Sequence, residues 1–198
     1  MFLLGHIGIG SRLGRPLVSR EVMPWLLLGC VLPDVIDKPL YYGLSLATGK
    51  HAQELGLISS TRTFGHTFFL ATLCWFLADR RFTRAPGLAG RGFALFVGLL
   101  THFLLDLGGE VWGPIADLIT GTPPLPRIGP STLEGMLFPL LGPHFPIAPF
   151  HSFGEHAASL TSSYVLFGEL LGGALLLLDW RAYRKARGRV VSADNAQR

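Results

Sequence analysis

GFALFVGLLTHFLLDLGG, residues 92–109, is an apolar run of near membrane-spanning length interrupted by one histidine and one aspartate. About 20 apolar residues are needed to cross a hydrocarbon core of roughly 30 Å, so the run is long enough to span or nearly so. His102 and Asp106 stand four apart, which on a helix puts them on one face, one turn above the other. An imidazole and a carboxylate are expensive to hold in hydrocarbon-like surroundings and are kept there mostly for a function. A buried His–Asp hydrogen bond that only locks two helices is the simpler alternative. The run therefore predicts a helix that crosses a membrane and carries chemistry on one face.

The composition agrees with that frame. The chain has 198 residues, 49% apolar and 15% charged, with a mean hydropathy of +0.42, high for a soluble globule. Length predicts one domain. The 14 Phe, 4 Trp and 4 Tyr supply aromatic side chains for membrane interfaces, and Trp25, Trp75, Trp112 and Trp180 all fall in or at the ends of apolar segments. Cys30 and Cys74 lie in separate apolar runs without CxxC spacing, which predicts reduced packing residues. Residues 1–10 carry no basic leader and are interrupted by glycine, so a cleavable signal is not expected.

Three further apolar runs accompany the first. Residues 22–40 (VMPWLLLGCVLPDVIDKPL) are broken near their end by Pro33 and two aspartates, residues 64–78 (FGHTFFLATLCWFLA) are short for a crossing, and 162–180 (SSYVLFGELLGGALLLLDW) is the clearest span. With an up-down topology, 13 of the 17 Lys and Arg fall on one side, leaving Lys38, Lys50, Arg62 and Arg127 on the other. Excess basic residues mark the cytoplasmic face, so the C-terminal tail is expected inside. A pI near 9.4 also suits nucleic-acid binding, but these basic residues flank apolar runs instead of forming a patch with interleaved aromatics, and no nucleic-acid partner is expected. Residues 110–161 hold nine of the fourteen prolines, among them Pro123, Pro124, Pro139, Pro143, Pro146 and Pro149. That density forbids a continuous helix, yet 133–150 is apolar enough to predict an interfacial or re-entrant cap.

Four polar signatures lie within these runs: His6, LPDVID (32–37), RTFGHT (62–67) and THFLLD (101–106). Asp34 and Asp37 are three apart, again on one helical face, and carboxylates so close repel unless a cation or proton intervenes. Alternatively, Asp34 caps a short helix beyond Pro33 and Asp37 pairs with Lys38. Counting rise along the helices puts His102 at about 15 Å and Asp106 at about 21 Å from the cytoplasmic end. Asp34, Asp37 and His66 then share the same outer half of the membrane. His6 sits in a segment of about 18 Å at most, too short to cross but able to enter halfway. Converged, three imidazoles and three carboxylates suit borderline-to-hard divalent cations. Such an ion acidifies a bound water, and Arg62 is placed to neutralise an anionic group of a substrate. His144, His151 and His156 lie in the outer connection as lid or interfacial residues, and Glu169 is mid-span in the last run, suited to hydrogen-bond inside the bundle.

The ordered set His6, GCVLPDVID, RTFGHT and THFLLD resembles the YdjM-like, LexA-regulated, membrane-bound metal-dependent hydrolases. The family pattern runs through an N-terminal His, a G-x-x-x-PD-x-D segment, an R-G-x-T-H-S box and a helix with H-x-x-x-D. Gly29, Pro33, Asp34 and Asp37 fit the second element, and His102 and Asp106 the fourth. In the third, Arg62, His66 and Thr67 align, while Thr63 and Gly65 stand where the pattern has Gly and Thr. The resemblance covers roughly residues 1–110 and implies a metal site more firmly than a reaction.

The resulting expectation is an all-α integral membrane bundle with about four hydrophobic helices and a Pro-rich outer segment. It comprises one domain, 1–198: a motif-bearing core 1–110, a cap 111–161, a last transmembrane helix 162–180 and a basic cytoplasmic tail 181–198. His6, Asp34, His66, His102 and Asp106 are the expected metal ligands, Asp37 a ligand or general base, and Arg62 an anion clamp. Zinc is the first choice of metal, with manganese or iron as alternatives. The expected function is hydrolysis of a phosphate ester or lipid-like ester in the cell (inner) membrane, with membrane lipids as neighbours. Two other classes remain open: a metal-ion or proton-coupled transport component, and a non-catalytic membrane protein whose His/Asp pairs only staple helices.

Overall fold

Helices separated by tight turns account for the fold, seen in a computed structural model that describes residues 3–82, 90–121, 129–150 and 152–196. Arg84, Pro123, Pro124, Arg127, His151 and Arg198 lie outside the described residues. Among the described residues there are helices and no strand. They are α1 (Leu3–Gly14), α2 (Met23–Gly29), α3 (Leu32–Thr48), α4 (Phe68–Phe82), α5 (Arg91–Thr120), α6 (Thr132–Met136), α7 (Phe153–Ala158) and α8 (Ser163–Ala196), with short 3-10 turns between several of them. The all-α expectation therefore stands.

Among the described residues two segments are long and apolar enough to cross a membrane, Arg91–Thr120 and Ser163–Lys185. The expected first span, 22–40, is instead two helices. The α2 helix ends at Gly29, and α3 begins at Leu32 with Pro33 in its first turn, where a missing N–H costs nothing. Phe68–Asp79 is apolar but short. The helix expected over 92–109 continues to Thr120 and accommodates Pro114 within it, so the Pro-rich connection starts later than the composition suggested. On α8, Phe167 and Leu170 are each 66% exposed. Such exposed apolar side chains suit contact with lipid.

Small residues set how the long helices cross. A side chain on Gly8 would meet the carbonyl of Gly172, and one on Gly172 that of Leu4, both at 2.2 Å. Gly29 and Gly98 bear the same relation to the carbonyls of Leu95 and Leu26. Helix backbones thus touch directly in the α1–α8 and α2–α5 pairs, as expected where packing must replace the hydrophobic drive between helices. Glu169, mid-way along the apolar part of α8, accepts hydrogen bonds from the Leu4 and Gly5 amides at 2.9 and 3.0 Å. Those amides belong to the first turn of α1, which has no partners of its own. The half-buried carboxylate therefore fixes both the height and the rotation of α1, and with them His6. At the other end Arg12 meets Asp179 at 2.6 Å, so α1 and α8 run parallel.

Candidate metal centre

Each of the four signatures is delivered by a different element. His6 comes from α1, Asp34 and Asp37 from the first half of α3, His66 from a 3-10 turn (Phe64–His66) just before α4, and His102 and Asp106 from the middle of α5. His6, His66, His102, Asp37 and Asp106 are at most 2% exposed. The Nε2 of His66 lies 3.1 Å from that of His102, 3.3 Å from Asp106 and 3.9 Å from Asp34. Asp106 is 3.4 Å from His6 Nε2 and 3.6 Å from His102 Nε2. Two overlapping triads, His6–His102–Asp106 and Asp34–His66–His102, each hold their ligand atoms within 4.8 Å of one another. Stretches separated by up to 100 residues thus reach one point.

The second nitrogens of the histidines determine what that point can hold. His102 Nδ1 lies 2.7 Å from the Cys30 carbonyl oxygen, which can only accept, so Nδ1 carries the proton. His66 Nδ1 lies 2.7 Å from the Asp37 carboxylate, which accepts in the same way. With Nδ1 committed to an acceptor, each Nε2 is turned inward, a lone pair on a neutral ring and an N–H on a protonated one. Two such nitrogens 3.1 Å apart require a shared proton or a cation between them and their neighbours. Four ligand atoms at about 2.1 Å around a tetrahedral zinc would be roughly 3.4 Å apart. The spacings of 3.1 to 3.9 Å fit that edge length, and the His/Asp donor set fits a borderline divalent ion.

Asp37 stands behind this layer. It accepts from the Thr63 amide (2.6 Å), the Thr63 hydroxyl (3.1 Å), the Gly65 amide (2.8 Å) and His66 Nδ1 (2.7 Å), and is 0% exposed. All four sites of the carboxylate are used, so the geometry makes it the group that orients His66. The exchanged residues of the RTFGHT box have a use here. Thr63 supplies two of the four donors, and a Cβ at Gly65 would lie 2.7 Å from the Pro33 carbonyl and 3.0 Å from the Asp37 carboxylate. The loop can press onto α3 only because residue 65 has no side chain.

Two cations border the cluster. Arg62 binds both oxygens of Asp106, Nε and a terminal nitrogen each at 3.0 Å. Lys38 meets Asp34 Oδ2 at 2.6 Å, so the lysine pairs with Asp34, one turn earlier in the helix, and not with Asp37. Asp34, Asp106, Lys38 and Arg62 all line one cavity of about 460 Å³. Its far wall comes from the Pro-rich segment and α7, including Ile147, Phe150 and His156.

That wall is anchored from three sides. Glu110 on α5 accepts from the amide of Thr132 at 3.0 Å and from its hydroxyl. The Tyr164 hydroxyl donates to the Leu105 carbonyl at 2.8 Å. His156 stacks on Phe150, with ring centroids 4.2 Å apart, and shares a 2.5 Å hydrogen bond with the Tyr42 hydroxyl. His156 thus faces the site, whereas His144 is exposed and outside the cavity lining. Burial, then the nearby charges of Lys38 and Arg62, push the His156 pKa down to about 4. Sequence reading could not anticipate Glu110, Thr132 or the Cys30 carbonyl, because none belongs to a pattern of ligand-type residues.

A family model described as the YdjM inner membrane protein family matches residues 1–115. No curated protein and no solved structure matches.

Proposed function

Starting from the chain's membership of the YdjM inner membrane protein family, we propose that it is a membrane-embedded, metal-dependent hydrolase whose centre is built from His6, Asp34, His66, His102 and Asp106. One observation carries the metal: the two inward Nε2 atoms 3.1 Å apart, each with its Nδ1 committed to an oxygen acceptor. Zinc suits three imidazoles and two carboxylates best, and manganese or iron suits them next. Such an ion supplies Lewis acidity and a nucleophile at neutral pH.

The chain's own residues do the rest. Asp37 orients His66, the Cys30 carbonyl orients His102, and Glu169 sets the height of the helix that carries His6. Arg62, beside Asp106 and on the cavity wall, draws an anionic group of the substrate toward the cluster. The Pro-rich segment limits water around the substrate, and apolar side chains such as Ile147 and Phe150 take its carbon skeleton. In this reading the C-terminus is cytoplasmic and the cavity opens toward the outer face, which the excess of Lys and Arg flanking one side of the apolar runs supports.

A stapling role has one observation in its favour: Arg62–Asp106 and Lys38–Asp34 already pair the carboxylates with cations. Elemental analysis of detergent-purified protein separates the readings. The hydrolase reading expects near-stoichiometric divalent metal, lost in His102→Ala, with Asp34→Asn folded but inactive. Stapling expects no metal in any of the three, with His102→Ala merely less stable.

A further inference from the structure

Arg62 has a counterpart on the opposite ligand. The cluster's two cavity-lining carboxylates each carry a basic side chain, Arg62 on Asp106 and Lys38 on Asp34. Asp34 is divided between two tasks, with Oδ2 on the lysine at 2.6 Å and Oδ1 turned toward His66. Lys38 is 23% and Arg62 30% exposed, and both line the same cavity. Glu110 lies beside them but is occupied by the amide and hydroxyl of Thr132. A neutral carboxylic ester has no use for two ammonium-type groups at the metal end of its pocket, whereas phosphoryl oxygens match them in charge and in donor number.

We propose that Lys38 and Arg62 form a two-sided clamp for a phosphoryl group, so that the substrate class of this site is a phosphate ester and not a carboxylic ester. This rests on the metal-centre reading above and narrows it. Asp34 and Asp106 hold the two clamp residues at the cavity wall in advance of substrate, so their side chains lose little freedom when the anion arrives. Once the carboxylates share their charge with a divalent cation, Lys38 and Arg62 keep theirs for the anion. Metal and phosphate then strengthen each other's binding, and by linkage equally so in both directions. His156 is kept neutral first by its burial, and the charges of Lys38 and Arg62 add to that against the opposite pull of Asp34.

The clamp makes Lys38 a group with opposite effects on two ligands. It competes with the metal for Asp34 and cooperates with it for phosphate. The test titrates zinc, then inorganic phosphate, into detergent-solubilised full-length protein, comparing wild type with Lys38→Met by calorimetry. The expected result is a tenfold or greater loss of phosphate affinity in the variant, with zinc affinity unchanged or higher. Should Lys38→Met fail to fold, Lys38→Gln keeps a hydrogen bond to Asp34 without the charge and is expected to show the same loss. Phosphate affinity within twofold of wild type in the folded variant overturns the clamp. So does wild-type protein that binds zinc but not phosphate, and in that case the metal centre survives. Wild type that binds no zinc removes the metal centre itself, and the clamp with it.

Discussion

Replacing Asp37 with asparagine tests whether the metal layer is held from behind. In the wild type each carboxylate oxygen serves two donors: Oδ2 the Thr63 amide and His66 Nδ1, Oδ1 the Thr63 hydroxyl and Gly65 amide. An amide group in the same place keeps one oxygen and turns its NH2 toward the other two donors. With the NH2 on the Oδ1 side the Thr63 hydroxyl can turn and accept, which leaves the Gly65 amide as one buried donor without an acceptor, at about 2 kcal/mol. For a chain of this size about 3 °C of melting temperature accompanies each kcal/mol, so a fall of about 6 °C is expected. His66 also keeps only a neutral acceptor in place of the carboxylate, and losses of this kind lower metal affinity by about 10- to 100-fold. The assay pairs a thermal melt in detergent with a zinc titration. A variant that melts within 2 °C or so of wild type and binds zinc equally well would refute the assignment of Asp37 to the supporting layer.

Other outcomes follow from the same geometry. Gly65→Ala would place a methyl 2.7 Å from the Pro33 carbonyl; loss of zinc binding together with a lower melting temperature is expected, and unchanged binding would mean the loop can retreat. Docking of α7 on α3 should weaken in acid. The docked His156 has a pKa near 4 and an ordinary free value of 6.5, so its neutral form favours the Tyr42 contact. That contribution is complete above pH 6.5 and is lost as the pH falls toward 4. Hydrogen exchange in 153–158 at pH 7.5 and pH 5 should therefore differ in wild type, and should not in His156→Gln.

Much of the site was legible because its chemistry is local in the chain. The i,i+4 pair His102–Asp106 and the i,i+3 pair Asp34–Asp37 declare a shared helical face before any fold is known. The roles within those pairs were less visible. Nothing in LPDVID distinguishes Asp34, which faces the cavity, from Asp37, which faces the loop; the difference comes from how Thr63 and Gly65 fold back onto α3. Lys38 pairs with Asp34 because helical spacing brings positions four apart together, while adjacent residues point apart. The split of 22–40 into two helices was signalled only by Gly29 and Pro33, and the contribution of Gly29 depends on contact with α5. Glu169 looked like an ordinary intramembrane acid and proved to be the cap of a helix 165 residues away in sequence, a relation no local pattern encodes.

A cation between His66 and His102 is what the proposed centre requires. X-ray absorption at the zinc edge, measured on full-length protein purified without chelator, reads that directly. The expected result is about one zinc per chain with a first shell of mixed nitrogen and oxygen near 2.0–2.1 Å, its imidazole scattering reduced in His102→Ala. Wild-type protein that stays free of zinc, manganese and iron after reconstitution, with both histidines intact, would contradict it.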